Sequence, residues 1–149
     1  MLYFAYGSNM SLAPMRERCP DAERIGLAML HRHRFVIMAD GYASVMPDDA
    51  THVHGVLWRI SARDLAALDD YEDVAGGLYR KEIMPVTHDG RSVPALVYLG
   101  VETREGPPRR GYMELVIEAA RENGLPDPYI EALARHAPGI FNTNAGGGS

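Results

Sequence analysis

A chain of 149 residues with a formal net charge of −5 is long enough to bury one sizeable core, and it lacks the basic surplus that a nucleic-acid or anionic-membrane surface requires. Its single cysteine, Cys19, excludes an internal disulfide and a cysteine-rich zinc site, and suits a reducing compartment. No apolar run reaches membrane-spanning length and no basic segment leads into an apolar one, so the expectation is a cytoplasmic protein that handles a small molecule, with neither nucleic acid nor membrane as a partner.

The chain begins with Leu2-Tyr3-Phe4-Ala5-Tyr6, apolar and aromatic, and breaks at Gly7-Ser8-Asn9. The first part suits a buried strand; the second suits a tight turn, because Gly permits a close backbone approach and the Ser and Asn side chains bond nearby main chain or a ligand. A short helix over 11–18 follows, with Pro14 in its first turn and Cys19-Pro20 ending it. Two readings of this corner stand side by side. It is a plain strand–turn–helix junction, or its free N–H groups converge into a small anion pocket.

From Ile25 the pattern turns to short strands: Leu27 to Leu30, Arg34 to Met38, Tyr42 to Met46 and His52 to Ile60, with turns at Asp40-Gly41 and Pro47-Asp48-Asp49. Antiparallel hairpins are expected. Residues i and i+2 share a strand face, so His31 with His33, and His52 with His54, raise a metal site. Neither an inward carboxylate nor a third His is marked by spacing, and the reading is no metal and no cofactor.

Ser61-Ala62-Arg63-Asp64 has the form of a capping box opening a helix to about Tyr71. At about 100° per residue Leu65, Leu68 and Glu72 fall on one face. A carboxylate aimed at the core there would be desolvated, its pKa raised toward neutrality and its side chain suited to proton transfer; a frayed helix end would instead leave Glu72 as one solvated acid among several. Next come a connection over 73–77, a hairpin of Leu78 to Thr87 with Ser92 to Leu99 turning at 88–91, and a loop over 100–109. A helix from Gly111 to Asn123 with Gly124 just past its end, and a last helix opened by Asp127-Pro128, complete a single domain over 1–141. Residues 142–149 form a Gly-rich flexible tail.

Taken together, Tyr3-Phe4-Ala5-Tyr6-Gly7-Ser8-Asn9, Arg18-Cys19-Pro20-Asp21-Ala22, His54-Gly55-Val56-Leu57-Trp58, Leu68-Asp69-Asp70-Tyr71-Glu72 and Gly77-Leu78-Tyr79 resemble the ordered motifs of the γ-glutamylcyclotransferase family, itself related to AIG2-like proteins. Glu122-Asn123-Gly124-Leu125-Pro126 with Tyr129 resembles the glutathione-pathway type. The resemblance implies an α+β fold, a small mixed-sheet barrel flanked by helices with the substrate in a cavity at one end. It implies Glu72 as the acid–base residue, Tyr3, Phe4, Ala5, Tyr6, Gly7, Ser8 and Asn9 as substrate-holding residues, and Tyr129 as a pocket tyrosine. The implied reaction closes the γ-glutamyl group of an amino acid or peptide into 5-oxoproline and frees the amine, without a cofactor. The protein assembly considered is a homodimer. One departure stands out: relatives often carry Gly directly after the catalytic Glu, whereas this chain has Asp73, a like charge beside Glu72. Two rivals remain: a non-catalytic module that binds a small carboxylate or a protein partner, and a cyclotransferase that releases a γ-glutamyl group from an amine in a biosynthetic pathway.

Overall fold

The computed structural model describes residues 1–137. The expected domain boundary at 141 and the tail over 142–149 lie outside the described residues. Five strands, β1 (Leu2–Ala5), β2 (Glu23–Ile37), β3 (Ala43–Arg59), β4 (Tyr79–His88) and β5 (Arg91–Gly100), close into a barrel in the order β1-β3-β2-β4-β5. All pairs are antiparallel except β1 with β5, which meet in parallel at Tyr3 and Leu96 and make the sheet mixed. Four helices, α1 (Leu12–Arg18), α2 (Ala62–Tyr71), α3 (Tyr112–Glu122) and α4 (Asp127–Ala134), flank it.

The expected run of short strands is corrected to one long hairpin of β2 with β3. Pairing runs from Glu23 opposite Arg59 to Ile37 opposite Ala43 and shifts twice, by one residue at Ile25, between Arg24 opposite Trp58 and Gly26 opposite Leu57, and more widely from His31 opposite His52 to His33 opposite Pro47. The four residues from Asp48 to Thr51 therefore bulge out opposite Arg32, which takes a φ of 58°. Pro47-Asp48-Asp49 has the composition of a reversal, but both halves of β3 keep the same partner, so a missing proline N–H and two turn formers produce a bulge instead.

Other local signals act as their chemistry requires. Ser61 accepts from the Asp64 N–H while the Asp64 carboxylate accepts from Ser61 N–H, closing the capping box of α2. Asp89 and Gly90, with φ of 48° and 76°, turn the β4–β5 hairpin. Gly124, with a φ of 74°, ends α3, and α4 starts at Asp127, one residue earlier than an Asp127 cap would place it, with Pro126 at the N-cap.

Two long-range contacts hold the first corner against the body. The Leu12 N–H donates to Glu122 Oε1 at 2.8 Å, so α3 supplies the acceptor at the start of α1. Asn123 donates from Nδ2 to the carbonyl of Met10 at 2.7 Å. At Gly55 a Cβ would lie 2.4 Å from the Ala5 carbonyl oxygen, so β1 and β3 approach as closely as they do only because this position carries no side chain.

Candidate functional site

The cavity opens at one barrel end, where β1 finishes and β3 and β4 begin. Tyr3 on β1, Tyr6 to Asn9 after it, Tyr42 and Ala43 entering β3, Leu78 and Tyr79 entering β4, and Tyr98 on β5 form its wall. Tyr71 and Glu72 at the end of α2 and Tyr112 at the start of α3 complete it, around about 680 Å³ counted to the open mouth. Seven of the chain's eight tyrosines thus face one space.

Glu72 is the carboxylate there. α2 ends at Tyr71, yet the Glu72 N–H still bonds the Leu68 carbonyl at 2.8 Å, so the residue keeps the phase of the fully buried Leu68 one turn earlier. Its side chain is half-buried and accepts from Asn9 Nδ2 at Oε1, 3.3 Å away. Burial raises its pKa from the ordinary carboxylate range to about 7, opposed by the positive charge of Arg18. The Asp73 side chain is turned away, its Oδ1 accepting from the Gly76 N–H at 3.1 Å.

Five of these phenols are held neutral. Burial, with the Glu72 charge as a lesser cause, raises the pKa of Tyr3, Tyr6, Tyr79 and Tyr112; for Tyr98, burial and then its bond to Asp69 do so. Tyr6 donates to the Tyr98 carbonyl at 2.6 Å, Tyr79 to the Ala43 carbonyl at 2.5 Å and Tyr98 to Asp69 at 2.8 Å. These bonds lock the wall, leaving Glu72 as the lining group whose proton affinity sits near neutrality.

The turn delivers its backbone to the same space. Ser8–Met10 form a single 3₁₀ turn, whose first amides have no carbonyl of the turn to bond. At Gly7 a Cβ would come within 3.2 Å of the Tyr112 hydroxyl, so the missing side chain admits that phenol. Asn9 donates from Nδ2 to Tyr3 Oη at 3.0 Å as well as to Glu72, while Arg18 donates from Nη1 to Asn9 Oδ1. The Arg18 guanidinium lies 3.4 Å from the ring centre of Tyr71.

Of the residues singled out from sequence, Tyr3, Tyr6, Gly7, Ser8, Asn9 and Glu72 meet at this cavity. Phe4 and Ala5 do not line it. Phe4 lies on the other face of β1 and packs over Gly55, and Ala5 is buried in the core. Tyr129 is also elsewhere: α4 carries it to the outside of the hairpin, with its ring 4.7 Å from that of His54. The loop over 100–109 contributes no lining residue; Met38 bridges to Glu105, and the Arg109 N–H bonds the Gly41 carbonyl at 3.1 Å. Tyr42, Tyr98 and Tyr112 lie outside the family motifs, and Tyr71 and Tyr79, though inside two of them, carried no expected role; the excess of eight tyrosines over three phenylalanines was visible in the composition.

The histidines sort differently from their spacing. His31 stacks with His52 across the hairpin at 5.9 Å, His52 with His54 at 4.9 Å, and His33 Nδ1 is spent on the His31 carbonyl at 2.8 Å. Among the described residues no group of three or more His, Cys, Asp or Glu is arranged to hold a metal ion. None of the helices among them is long and apolar enough to cross a membrane.

Comparison with known proteins gives one consistent result. The model of the AIG2-like family matches residues 52–133. The chain is 31% identical over 151 residues to the γ-glutamylcyclotransferase of Mus musculus, covering 94% of this chain and 80% of that relative. It is 30% identical, with the same coverage, to that of Homo sapiens. A solved γ-glutamyl cyclotransferase superposes with a TM-score of 0.82 at 29% identity, over 89% of this chain and 85% of that one.

Proposed function

From this chain's membership of the AIG2-like family, in company with the γ-glutamylcyclotransferases, we propose that it is an enzyme of that activity: it converts a γ-glutamyl amino acid or peptide into 5-oxoproline and a free amine. One observation carries the assignment of roles. A half-buried carboxylate, Glu72, faces a tyrosine-walled cavity beside the Gly7-Ser8-Asn9 turn, with its pKa at about 7.

The chemistry needs that value. The substrate's α-ammonium must lose a proton before its nitrogen can attack the γ-carbonyl carbon, and an α-amine titrates near pH ~8. A carboxylate of ordinary pKa would be more than about 3 units too weak; one at about 7 comes within about a factor of ten of an even exchange. Glu72 takes one proton from the α-ammonium, the new C–N bond closes the five-membered ring, and the carbonyl oxygen becomes an oxyanion. As the oxyanion collapses, the ring nitrogen gives up its second proton and the amide C–N bond breaks; the departing amine takes up both protons, one of them returned by Glu72, and leaves as an ammonium beside the neutral lactam. Water is not consumed.

The turn amides of Ser8 and Asn9 supply N–H groups for the glutamyl carboxylate or the developing oxyanion. The Tyr3 hydroxyl oxygen already accepts from Asn9, so its own hydrogen is free to point into the cavity. The enclosed wall folds a flexible substrate into the geometry of attack, an effect independent of proton transfer.

The assay follows 5-oxoproline released from γ-glutamyl-alanine. Tight calorimetric binding of the substrate without turnover would overturn the enzymatic reading in favour of a binding module. A panel of leaving amines, with and without a carboxylate, distinguishes an enzyme of amino-acid and peptide substrates from one that deprotects a γ-glutamyl amine.

A further inference from the structure

Arg18 stands outside the cavity wall, on the last turn of α1, yet three contacts tie it to the wall. Its Nη1 donates to Asn9 Oδ1, its guanidinium plane covers the Tyr71 ring at 3.4 Å, and its charge is the one that opposes the burial of Glu72. The two ends of an amide side chain are ordinarily interchangeable, and the hydrogen-bond network must decide between them. Here it does. Arginine is a donor only, so the atom of Asn9 that faces it has to be oxygen, and the NH₂ group is left to face Tyr3 Oη at 3.0 Å and Glu72 Oε1 at 3.3 Å.

We propose that Arg18 is a positioning residue for the reaction: by gripping Oδ1 of Asn9 and stacking on Tyr71, it fixes the Asn9 amide so that Nδ2 orients the Glu72 carboxylate and Tyr3. This rests on the functional reading above. Without the grip the Asn9 amide is free to turn its oxygen toward Glu72, setting two acceptors against each other and releasing the carboxylate from its bearing on the substrate. Stacking gives the grip its rigidity, since Tyr71 is the residue before Glu72 and its hydroxyl lies 3.2 Å from Ser8 Oγ. One side chain thus joins the turn after β1, the end of α1 and the end of α2.

The electrostatic consequence follows from what else faces Glu72. Tyr3 from β1, Tyr6 after it, Tyr79 from β4, Tyr98 from β5 and Tyr112 from α3 are uncharged phenols. On its own helix Asp69 is engaged by Lys81 and Tyr98. Removing the Arg18 cation therefore raises the proton affinity of Glu72, and a base that must be ionised to work then needs a higher pH.

The test uses the whole protein with Arg18→Met, Arg18→Lys, Asn9→Ala and the Arg18→Met/Asn9→Ala pair, assayed with γ-glutamyl-alanine. In parallel, the Glu72 carboxyl is titrated by ¹³C NMR, its signal recognised by its loss in Glu72→Gln. Arg18→Met is expected to lose about 10²-fold in kcat with KM nearly unchanged, the size of loss that a misplaced catalytic group produces. Its acid limb and its NMR titration both move to higher pH. Arg18→Lys keeps the limb near its wild-type place, because the charge remains, but recovers only part of kcat, because an ammonium lacks the planar fork. Above the acid limb of every variant, the pair loses clearly less than the product of the two single losses, since both changes cut the connection between Arg18 and Asn9. Additive losses in the pair, or an Arg18→Met protein with wild-type kcat, limb and titration, would overturn the proposal. Should Arg18→Met fail to fold, the same cycle built with Arg18→Lys decides by the same criterion of additivity. Absence of 5-oxoproline from the wild type would defeat the functional reading instead, and the NMR titration would still report whether Arg18 governs Glu72.

Discussion

The tyrosine-lined end of the barrel and the histidine strip on the long hairpin are made of similar parts, and they behave oppositely. At the barrel end, phenols from four strands or their flanking turns and two helices close round one carboxylate, and burial moves Glu72 to about 7. On the strip, His31, His52 and His54 stack in a row against Tyr129, with His31 and His52 exposed and the His54 pKa lowered by burial and then by its two neighbours. A row on an outer face encloses nothing. Burial and a like neighbour are enough to shift a proton affinity, as at His54, but a place to act needs several elements converging on one space, and side-by-side spacing on one strand pair does not provide that.

The most direct way to break this contrast is Glu72→Gln, which keeps the shape and removes the proton carrier. It should cost about 10²–10⁴-fold in kcat for 5-oxoproline release, the usual range for a general acid–base group. An equal loss from His52→Ala would erase the distinction between the two regions.

The pH profile sharpens it. Glu72 must be ionised to accept a proton, so kcat/KM should rise with pH and level off above an inflection at about 7, falling about tenfold per unit below it. The sign is that of a base whose carboxylate is harder to ionise in the folded protein. An acid limb near the ordinary carboxylate range would mean that Glu72 is more solvated than its surroundings imply.

Gly7→Ala probes the wall at a single contact. The new methyl would lie 3.2 Å from the Tyr112 hydroxyl, which also accepts from the Ala43 N–H at 3.4 Å, so the phenol has to yield by a few tenths of an ångström. A loss of about tenfold in kcat/KM with an unchanged melting temperature is expected, well below the cost of misplacing a catalytic group by 1 Å. A fall in melting temperature in proportion to activity would show that the effect is on folding.

The smallest expected effects belong to the strip. Tyr129→Phe and His52→Ala should leave kcat and KM within about twofold of wild type, as changes away from a site commonly do, and a chelator should leave the rate unchanged. A large KM change in Tyr129→Phe would bring α4 to the cavity after all.

Local chemistry made much of this molecule legible in advance. The capping box at Ser61, the Asp89-Gly90 turn, the stop at Gly124 and the strand-to-turn break at Gly7 depend on a few adjacent residues whose backbone preferences act within one turn. For Glu72 the stripe of Leu65 and Leu68 gave the phase but left open whether the helix reached that far, and its role came from the family resemblance. The bulge over Asp48 to Thr51 was not, because turn-forming residues specify a departure from the strand and only the shared partner β2 decides that the strand resumes.

What the sequence determined by itself, then, was the helices, the turns, the family resemblance and the residues to examine at the first corner and at Glu72. Barrel closure decided the rest. It brought Tyr42, Tyr79, Tyr98 and Tyr112 to one cavity from positions far apart in the chain, sent Tyr129 to the outside, and set Arg18 against Asn9. Such placements depend on which strands pair and on which face each side chain falls. That information resides in long-range packing, whereas spacing along the chain reaches only as far as a residue's near neighbours.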